Sequence, residues 1–338
     1  MDIVPIDPAA PDQEIIARAA ELIREGRLVA FPTETVYGLG ANALDPIAVD
    51  RIYAAKGRPT YNPLIVHVAD AQAARDITAA WPDAAETLAR RFWPGPITFV
   101  LPKRENVPDT VTAGLASVAV RVPAHPVALA LLRAAQRPIA APSANRSMML
   151  SPTTAAHVAK SLGDAVDLIL DGGPTEVGIE STVVDLTAAE PRILRPGMIT
   201  ANQIRAAVGA LGDGARIAGD VARPSPGMLD RHYSPRARLM LADPETIGAL
   251  VDTERKRGKI VGAVVITAPT PPGTFVRLPE SASGYAARLY EALHALDESA
   301  CDVIIVEHVP DAVEWDGVRD RLERAAVDDL KSGLERGE

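Results

Sequence analysis

Residues 56–67 read KGRPTYNPLIVH: two cations, an amide, a short apolar run and an imidazole. Lys56 and Arg58 flank a glycine just before Pro59. In an extended or turn backbone this spacing lets both cations approach one ligand. Gly57 removes the side chain that would block close approach, and Pro59 biases Arg58 away from helix. Leu64, Ile65 and Val66 predict a short buried strand, with His67 near its end. Fixed cations, the Asn62 amide and an imidazole at a strand–loop junction suit a polyanion such as a nucleoside triphosphate. For an isolated K-G-R, a solvated basic turn would be the better reading. Two other stretches shift that balance.

Residues 28–40 read LVAFPTETVYGLG. Leu28–Phe31 is a strand-like run that stops at Pro32 and gives way to Thr33, Glu34 and Thr35. Hydroxyls at a strand end either cap a following helix or meet a ligand. Residues 138–153 read PIAAPSANRSMMLSPT and repeat the pattern: Ile139–Ala141 is apolar, then Pro142, Ser143, Ala144 and Asn145 follow. Ser143 and Asn145 read as ligand contacts. Ser151 or Thr153 is placed to cap a helix that includes His157 and Val158, and capping suffices to explain Thr153.

With these stretches in view, the chain resembles a known family. PTETVYGLG, KGRPTYNPLIVH, FWPGPIT at 92–98, RVPAHP at 121–126, APSAN at 141–145, SPT at 151–153, GIEST at 178–182 and LRPG at 194–197 occur in the family's order. They are similar to the YrdC-type threonylcarbamoyl-AMP synthases over roughly residues 10–205. SPGMLDRHYSP at 225–235 is similar to the linker of the longer, two-domain version. The resemblance implies a nucleotidyltransferase that converts ATP, L-threonine and bicarbonate into threonylcarbamoyl-adenylate and pyrophosphate. The product would pass to a tRNA threonylcarbamoyl transferase, for modification of the adenosine next to the anticodon. It also implies a fold: α/β, with a YrdC-like twisted mixed sheet around a concave basic pocket and a smaller Rossmann-like α/β C-terminal domain.

Composition agrees with this and excludes several classes. With 338 residues, 47% hydrophobic and 23% charged, the chain has the make-up of a soluble globular protein of one large or two ordinary domains. Its one cysteine, Cys301, rules out an internal disulfide and a cysteine-rich metal site; beside Asp302 and an apolar run it reads as a buried structural thiol. The N-terminal MDIVPIDPAAPDQE shows no secretory pattern, and no run of about eighteen apolar residues predicts a membrane span. A cytoplasmic location is the default. A net charge of −9 argues against a broad nucleic-acid surface, so no stable nucleic-acid binding is expected. A local basic pocket inside an acidic exterior remains compatible with it. The chain has no Walker phosphate loop and no complete G-x-G-x-x-G. It lacks His-x-x-x-His, Cys-x-x-Cys and G-x-S-x-G spacings, which disfavours a zinc site and a serine nucleophile.

The chain divides in two. Ile15, Ile16, Ala19, Leu22 and Ile23 form a helical stripe between Pro11 and Gly26, and Gly26 is a C-terminal stop. Strand-like and helical runs then alternate, including strands at Ser117–Val122, Leu168–Leu170 and Thr182–Leu186 and a helix at Val127–Ala135. Residues 1–209 are expected to form the YrdC-like catalytic domain. Residues 210–235, rich in Gly and Pro, form a linker or lid, in which Met228, Arg231, His232 and Tyr233 are unusual for a bare spacer. Residues 236–338 form the small C-terminal domain: strands at Ile260–Thr267 and Val303–Val306 flank a helix whose face carries Ala286, Leu289, Tyr290, Leu293 and Leu296. EWDGVRDRLERAA is loosely similar to the family's closing helix, and residues 331–338 read as a frayed end.

The implied chemistry sets requirements. Threonine and bicarbonate give a carbamate, which attacks the α-phosphorus of ATP and expels pyrophosphate. Both partners are anions, so the site needs fixed cations around the phosphates and a neighbouring amino-acid subsite. Mg2+ is expected to arrive with ATP, held mostly by phosphate oxygens and water. By the resemblance, Lys56, Arg58, Ser143 and Asn145 match the ATP tetrad, with Lys56 and Arg58 catalytic. Asn62, Ser117, Ser151 and Arg195 match further nucleotide contacts; read alone, Arg195 before Pro-Gly is a surface ion-pair partner. Thr35, His67, Arg121 and Ser181 match the threonine subsite, with Ala141 giving backbone and shape. Arg121 suits the substrate carboxylate through two bonds. Tyr233 is implied as an ATP contact in a lid; read alone, it packs between domains. The family pattern departs at one point. A glycine normally follows the position of Ser147, where this chain has Met148, Met149 and Leu150. Methionine disfavours the backbone a glycine permits, so a remodelled loop is expected, with Ser151 the contact most exposed to it.

Two rival readings come from other classes. A non-catalytic RNA-binding module of translation would bind RNA tightly without ATP, but an aromatic content of 4% offers little base stacking. A carbamoyl phosphate-using enzyme would need zinc-finger-like or acylphosphatase-like segments, which are not visible.

Overall fold

In the computed structural model, which describes residues 1–212 and 233–326, the strands predicted around the three polar loops lie side by side. Among the described residues of a first unit, ten strands form one mixed sheet. They are β1 (Asp2–Pro5), β2 (Val29–Phe31), β3 (Gly38–Asn42), β4 (Ile65–His67), β5 (Ile97–Pro102), β6 (Ser117–Arg121), β7 (Ile139–Ala140), β8 (Leu168–Asp171), β9 (Thr182–Asp185) and β10 (Arg192–Arg195). Their order is β1-β8-β2-β3-β7-β4-β6-β5-β9-β10. The central strands alternate in direction: β3 and β4 each run antiparallel to β7, and β4 runs parallel to β6. The strands carrying the three polar stretches are therefore neighbours, although about a hundred residues separate them in sequence.

Both faces of this sheet are buried, and successive residues divide between them with a period of two. Ala30, Val66, Phe99, Val120, Ala140 and Ile169 face the main core, packed by the helices Pro46–Lys56 and Asp83–Phe92. Val29, Phe31, Ile139, Leu168 and Leu170 face the other way, against the helices Gln13–Arg24 and Pro126–Ala135. Further along that second face, Ile65, Val100, Ala119 and Val183 make a smaller apolar cluster. His67, Arg121 and Thr98 stand two residues from members of that cluster and share its face.

Helix ends follow local signals. Asp12 caps the first helix through the amides of Glu14 and Ile15. Lys56 is the last residue of its helix and Gly57 is the C-cap, with φ at 59°. A β-carbon on Gly57 would meet no other atom of the chain within 4 Å, and within the protein itself the glycine serves the left-handed backbone. The helix Ala155–Leu162 is capped by Thr154, whose hydroxyl accepts from the His157 amide. Neither Ser151 nor Thr153 caps it, because the helix starts later than the sequence suggested.

A second unit holds residues 148–150 and, among the described residues, 233–326. Its strands β11 (Arg238–Ala242), β12 (Val261–Val265), β13 (Thr274–Arg277) and β14 (Val303–Glu307) form a parallel sheet in the order β11-β14-β12-β13. The helix Ile247–Lys256 packs one face. The helix Ala282–Glu298 buries Tyr285, Ala286, Leu289, Tyr290, Leu293 and Leu296. Leu296 comes so close to Gly262 of β12 that a β-carbon there would lie 2.9 Å from it. This is the small parallel α/β unit the sequence predicts. The closing segment forms a helix over Asp316–Ala325. Of the expected linker, residues 210–212 belong to the first unit and 233–235 to the second; 213–232 lie outside the described residues, as does the expected frayed end.

The loop expected to be remodelled at Met148 has a glycine-like backbone at that residue. Met148 itself adopts a φ of 69°, the left-handed conformation a glycine would take. Its side chain points outward and its carbonyl accepts from the Ser234 amide at 3.0 Å.

Candidate active site

Backbone bonds tie the three polar stretches together. Leu39 N–H donates to the Pro142 carbonyl, Ala144 N–H to the Tyr37 carbonyl, and Ala141 N–H to the Ile65 carbonyl. Ser147 N–H donates to the Lys56 carbonyl. Lys56 Nζ in turn donates to the carbonyl oxygens of Ser143 and Asn145, and at 3.4 Å to Asn145 Oδ1. Three of the four residues matched to the phosphate clamp are thus in direct contact. Arg58 completes the group: its Nε donates to the Asn62 carbonyl at 3.0 Å and its Nη2 to the Pro63 carbonyl at 2.8 Å. Burial first, and then the charge of Arg58, hold the Lys56 amine well below the usual lysine range, while Glu180 opposes them. The two cations therefore lie within electrostatic reach of each other.

A second group forms around Arg121, at the end of β6. Its Nη1 donates to Thr35 Oγ1 at 2.9 Å and its Nε to the Gly95 carbonyl at 3.2 Å. Nη2 lies 2.6 Å from Glu34 Oε1, an ion pair whose geometry does not make a hydrogen bond. Nε and one hydrogen of Nη1 are thus engaged by the protein, while Nη2 makes no hydrogen bond. His67 pairs with Arg121 across β4 and β6. Burial, assisted by the Arg121 charge, pushes its imidazole down to about 3, so it is neutral at physiological pH. Its Nδ1 has no hydrogen-bond partner, and its ring meets Phe31 edge-on.

A third group joins residues matched to different subsites. Arg195 donates through Nε and Nη2 to the Ser181 carbonyl at 3.1 and 3.0 Å, and through Nη2 to Ser181 Oγ at 3.2 Å. Ser181 Oγ shares a 2.7 Å hydrogen bond with Thr98 Oγ1. Arg195 is thus buried and engaged, not a surface ion-pair partner. Ser151 is fully buried, and its hydroxyl donates to Glu180 Oε1. The substitution at Met148 has left it in the cluster. Gly197 makes this packing possible, since a β-carbon there would sit 2.5 Å from the Thr182 amide nitrogen.

Ser117 opens β6, roughly 13 Å along the strand from Arg121. The parallel register sets it beside the residues that precede β4, where Asn62 and Pro63 meet Arg58. Asn62 is buried with its Nδ2 lacking a hydrogen-bond partner. Ala141 follows β7, with its amide bonded to β4. Tyr233 lies in the second unit: it is buried, its ring packs on Tyr290, and the Arg321 guanidinium stands 5.2 Å from its centre. Cys301, in the same unit, is a buried free thiol as expected, and burial pushes its pKa up.

Two residues escaped the sequence reading, Glu34 and Glu180. Both sit inside quoted motifs, each an isolated acid among small, uncharged residues, but the burial that sets them apart arises only in the assembled fold. Among the described residues of the first unit, the buried lysines and arginines are Lys56, Arg58, Arg121 and Arg195, at 3%, 7%, 3% and 3% exposure. All four belong to these groups, against the two carboxylates of Glu34 and Glu180. Buried cations are costly unless an anion meets them. The arrangement suits a small, highly charged anion beside a carboxylate.

Comparisons with known proteins agree with this geometry. Residues 21–197 match the Sua5/YciO/YrdC family model, described as "Telomere recombination". Residues 199–327 match a model described as the threonylcarbamoyl-AMP synthase C-terminal domain. The threonylcarbamoyl-AMP synthase of Bacillus subtilis is 45% identical over 331 residues, 95% of each chain. That of Pyrococcus abyssi is 44% identical, over 91% of this chain and 93% of its own. The crystal structure of Pyrococcus abyssi Sua5 complexed with L-threonine superposes with a TM-score of 0.92 at 42% identity, covering 96% of this chain and 98% of that one. The chain therefore belongs to the Sua5/YciO/YrdC family, in the two-domain form that carries the threonylcarbamoyl-AMP synthase C-terminal domain.

Proposed function

We propose that this chain is a threonylcarbamoyl-AMP synthase, which joins L-threonine, bicarbonate and ATP into threonylcarbamoyl-adenylate, pyrophosphate and water. The observation that carries the reading is the convergence of every buried lysine and arginine described in the first unit on one set of loops. Cations this deeply buried suit a compact anion; an RNA backbone is met by exposed ones. The relatives' shared name supplies the reaction, and the threonine-bound relative supplies the amino acid.

In this reading Lys56 and Arg58 hold the triphosphate, and the backbone around Ser143 and Asn145 fixes the Lys56 ammonium. Phosphate oxygens restore to Lys56 the charge that burial disfavours. Asn62 and Ser117 contact the nucleotide from the start of β4 and β6. Ser151 and Arg195 act beside them, with Tyr233 a further nucleotide contact. Arg121 and Thr35 receive the threonine carboxylate, next to neutral His67 and Ser181, with Ala141 shaping the subsite. One carbamate oxygen attacks the α-phosphorus, and the bond to the bridging oxygen of pyrophosphate breaks. Holding two anions in line and already desolvated is the main catalytic contribution.

Among the described residues no group of three or more His, Cys, Asp or Glu is placed to hold a metal ion. The donors beside the phosphate clamp, the Glu180 carboxylate and the Ser151 hydroxyl, fit Mg2+ that enters with ATP and keeps most of its bonds to phosphate and water. Bound there, it would neutralise phosphate charge. No helix among the described residues is long and apolar enough to cross a membrane, and a cytoplasmic enzyme that passes its product to a tRNA threonylcarbamoyl transferase fits the reading.

The test is pyrophosphate release. It should require threonine and bicarbonate together, and Lys56→Ala and Arg58→Ala should each lower it by about a hundredfold or more. Unchanged release in both variants contradicts the assignment.

A further inference from the structure

We infer that Glu34 receives the α-ammonium of threonine and takes the proton the amine must lose before it can attack bicarbonate. This rests on the synthase reading and adds to it a residue that the family resemblance left without a role. None of the residues matched to the threonine subsite is a suitable acceptor: Thr35 and Ser181 are hydroxyls, Arg121 is a cation, and burial pushes the His67 imidazole down to about 3, too weak a base to hold the proton.

Glu34 is 5% exposed, and neither carboxylate oxygen has a hydrogen-bond partner. A buried carboxylate left in that state is rare, because each oxygen forfeits its hydration. Its position is fixed from both sides. The Glu34 carbonyl accepts from the Val177 amide at 2.7 Å. The neighbouring Thr33 and Thr35 hydroxyls share a 2.8 Å hydrogen bond, and Thr33 Oγ1 also donates to the Val36 carbonyl. The side chain reaches the subsite, since Oε1 lies 2.6 Å from Arg121 Nη2. That nitrogen is also the guanidinium atom without a hydrogen bond. A substrate carboxylate that docks on this nitrogen comes to rest beside Glu34.

Two carboxylates beside one guanidinium repel, and the arrangement becomes favourable when a positive group or a proton comes between them. Threonine brings that group with it. With its carboxylate on Arg121, its ammonium meets the unpartnered oxygens of Glu34. The ionisable groups facing Glu34 are Arg121 and His125, whose imidazole burial pushes down while Glu34 and Glu176 raise it. His67 stands beyond Arg121. The ammonium then lies within hydrogen-bond reach of the carboxylate, so its proton passes directly to a Glu34 oxygen. The step balances. The ammonium gives one proton to Glu34 and becomes a free amine. Its nitrogen lone pair forms the N–C bond to bicarbonate, and the C–OH bond breaks. The hydroxide leaves as water with the amine's second proton, giving the carbamate. Glu34 then returns its proton to solvent.

The test compares L-threonine with (R)-3-hydroxybutanoate, which keeps the carboxylate and hydroxyl but lacks the amine. Binding of each is measured by titration calorimetry on the full chain, in wild type, Glu34→Gln and Glu34→Asp. Wild type should prefer threonine by roughly 10- to 100-fold, the worth of a charged hydrogen bond at a buried site. Glu34→Gln should bring the ratio close to one, while Glu34→Asp, which retains the charge, should keep much of it. At saturating threonine, Glu34→Gln should lower the turnover rate by about a hundredfold with ATP affinity unchanged. A full preference in Glu34→Gln, no preference in wild type, or equal loss in both variants overturns the inference. If the preference depends on Glu34 as described but wild type releases no pyrophosphate, the synthase reading fails and the ammonium site stands.

Discussion

At the residue scale, the site is held together by groups whose burial is unusual for their chemistry. His67 is the clearest case. Its folded-state pKa, about 3, lies below the ordinary value of roughly 6.5. The unfolded chain therefore binds a proton that the folded chain refuses. The stability contributed by neutral His67 is complete above about pH 6.5 and is lost progressively as pH falls towards 3, by up to about 1.4 kcal/mol per pH unit. His125 is lowered by burial and acts in the same direction. We expect His67→Gln to show a shallower loss of unfolding free energy between pH 7 and 5 than wild type, measured by urea titration. Equal slopes would contradict this. Met148 makes the complementary point. Its left-handed backbone strains a residue with a β-carbon. Met148→Gly should leave stability unchanged or raise it by up to about 1 kcal/mol, since relief of strain outweighs the added unfolded-state entropy. A melting temperature that falls by several degrees would show that the methionine side chain has a packing role.

At the element scale, the short strands were legible because their apolar runs are bounded by prolines and small polar residues. β2, β4 and β7 fall where Leu28–Phe31, Leu64–His67 and Ile139–Ala141 predicted them, each within a residue. What the sequence could not carry was the role of each loop residue. The K-G-R run looked like a turn, yet Lys56 closes a helix and Gly57 is its cap. Helix periodicity there is weak, because most residues of Pro46–Lys56 are apolar or small. The cap at Thr154 was missed for a related reason: three hydroxyl residues follow in quick succession after Leu150, and composition alone does not choose between them. Gly57→Ala should cost about 1–2 kcal/mol through backbone strain alone, because no atom crowds the position. Chemical denaturation checks this, and a loss below about 0.3 kcal/mol would contradict the cap. Because Gly57 sets the path from Lys56 to Arg58, the same variant should also weaken nucleotide binding.

At the scale of the whole molecule, the division into two units followed from a change in composition, and the family motifs covered most of the chain. Convergence of the loops did not follow from any local signal. It depends on strand order, and the placement of β7 between β3 and β4 decides it. That order brings Thr35, Ser143 and His67 to one face, while Glu34 and Glu180 stayed hidden because their burial is a property of the assembled sheet. Sequence assigned Arg195 and Ser181 to different ligands, and the fold bonds them to each other.

The central claim is that one cluster of buried cations joins an amino acid, bicarbonate and ATP. It is tested most directly by incubating the purified protein with ATP, 13C-bicarbonate and each amino acid in turn, and identifying the adenylate by mass spectrometry. The account predicts a threonylcarbamoyl-adenylate that carries the label, formed in wild type and absent from Arg58→Ala. An unlabelled aminoacyl-adenylate, or an equal yield of labelled product from Arg58→Ala, would contradict it.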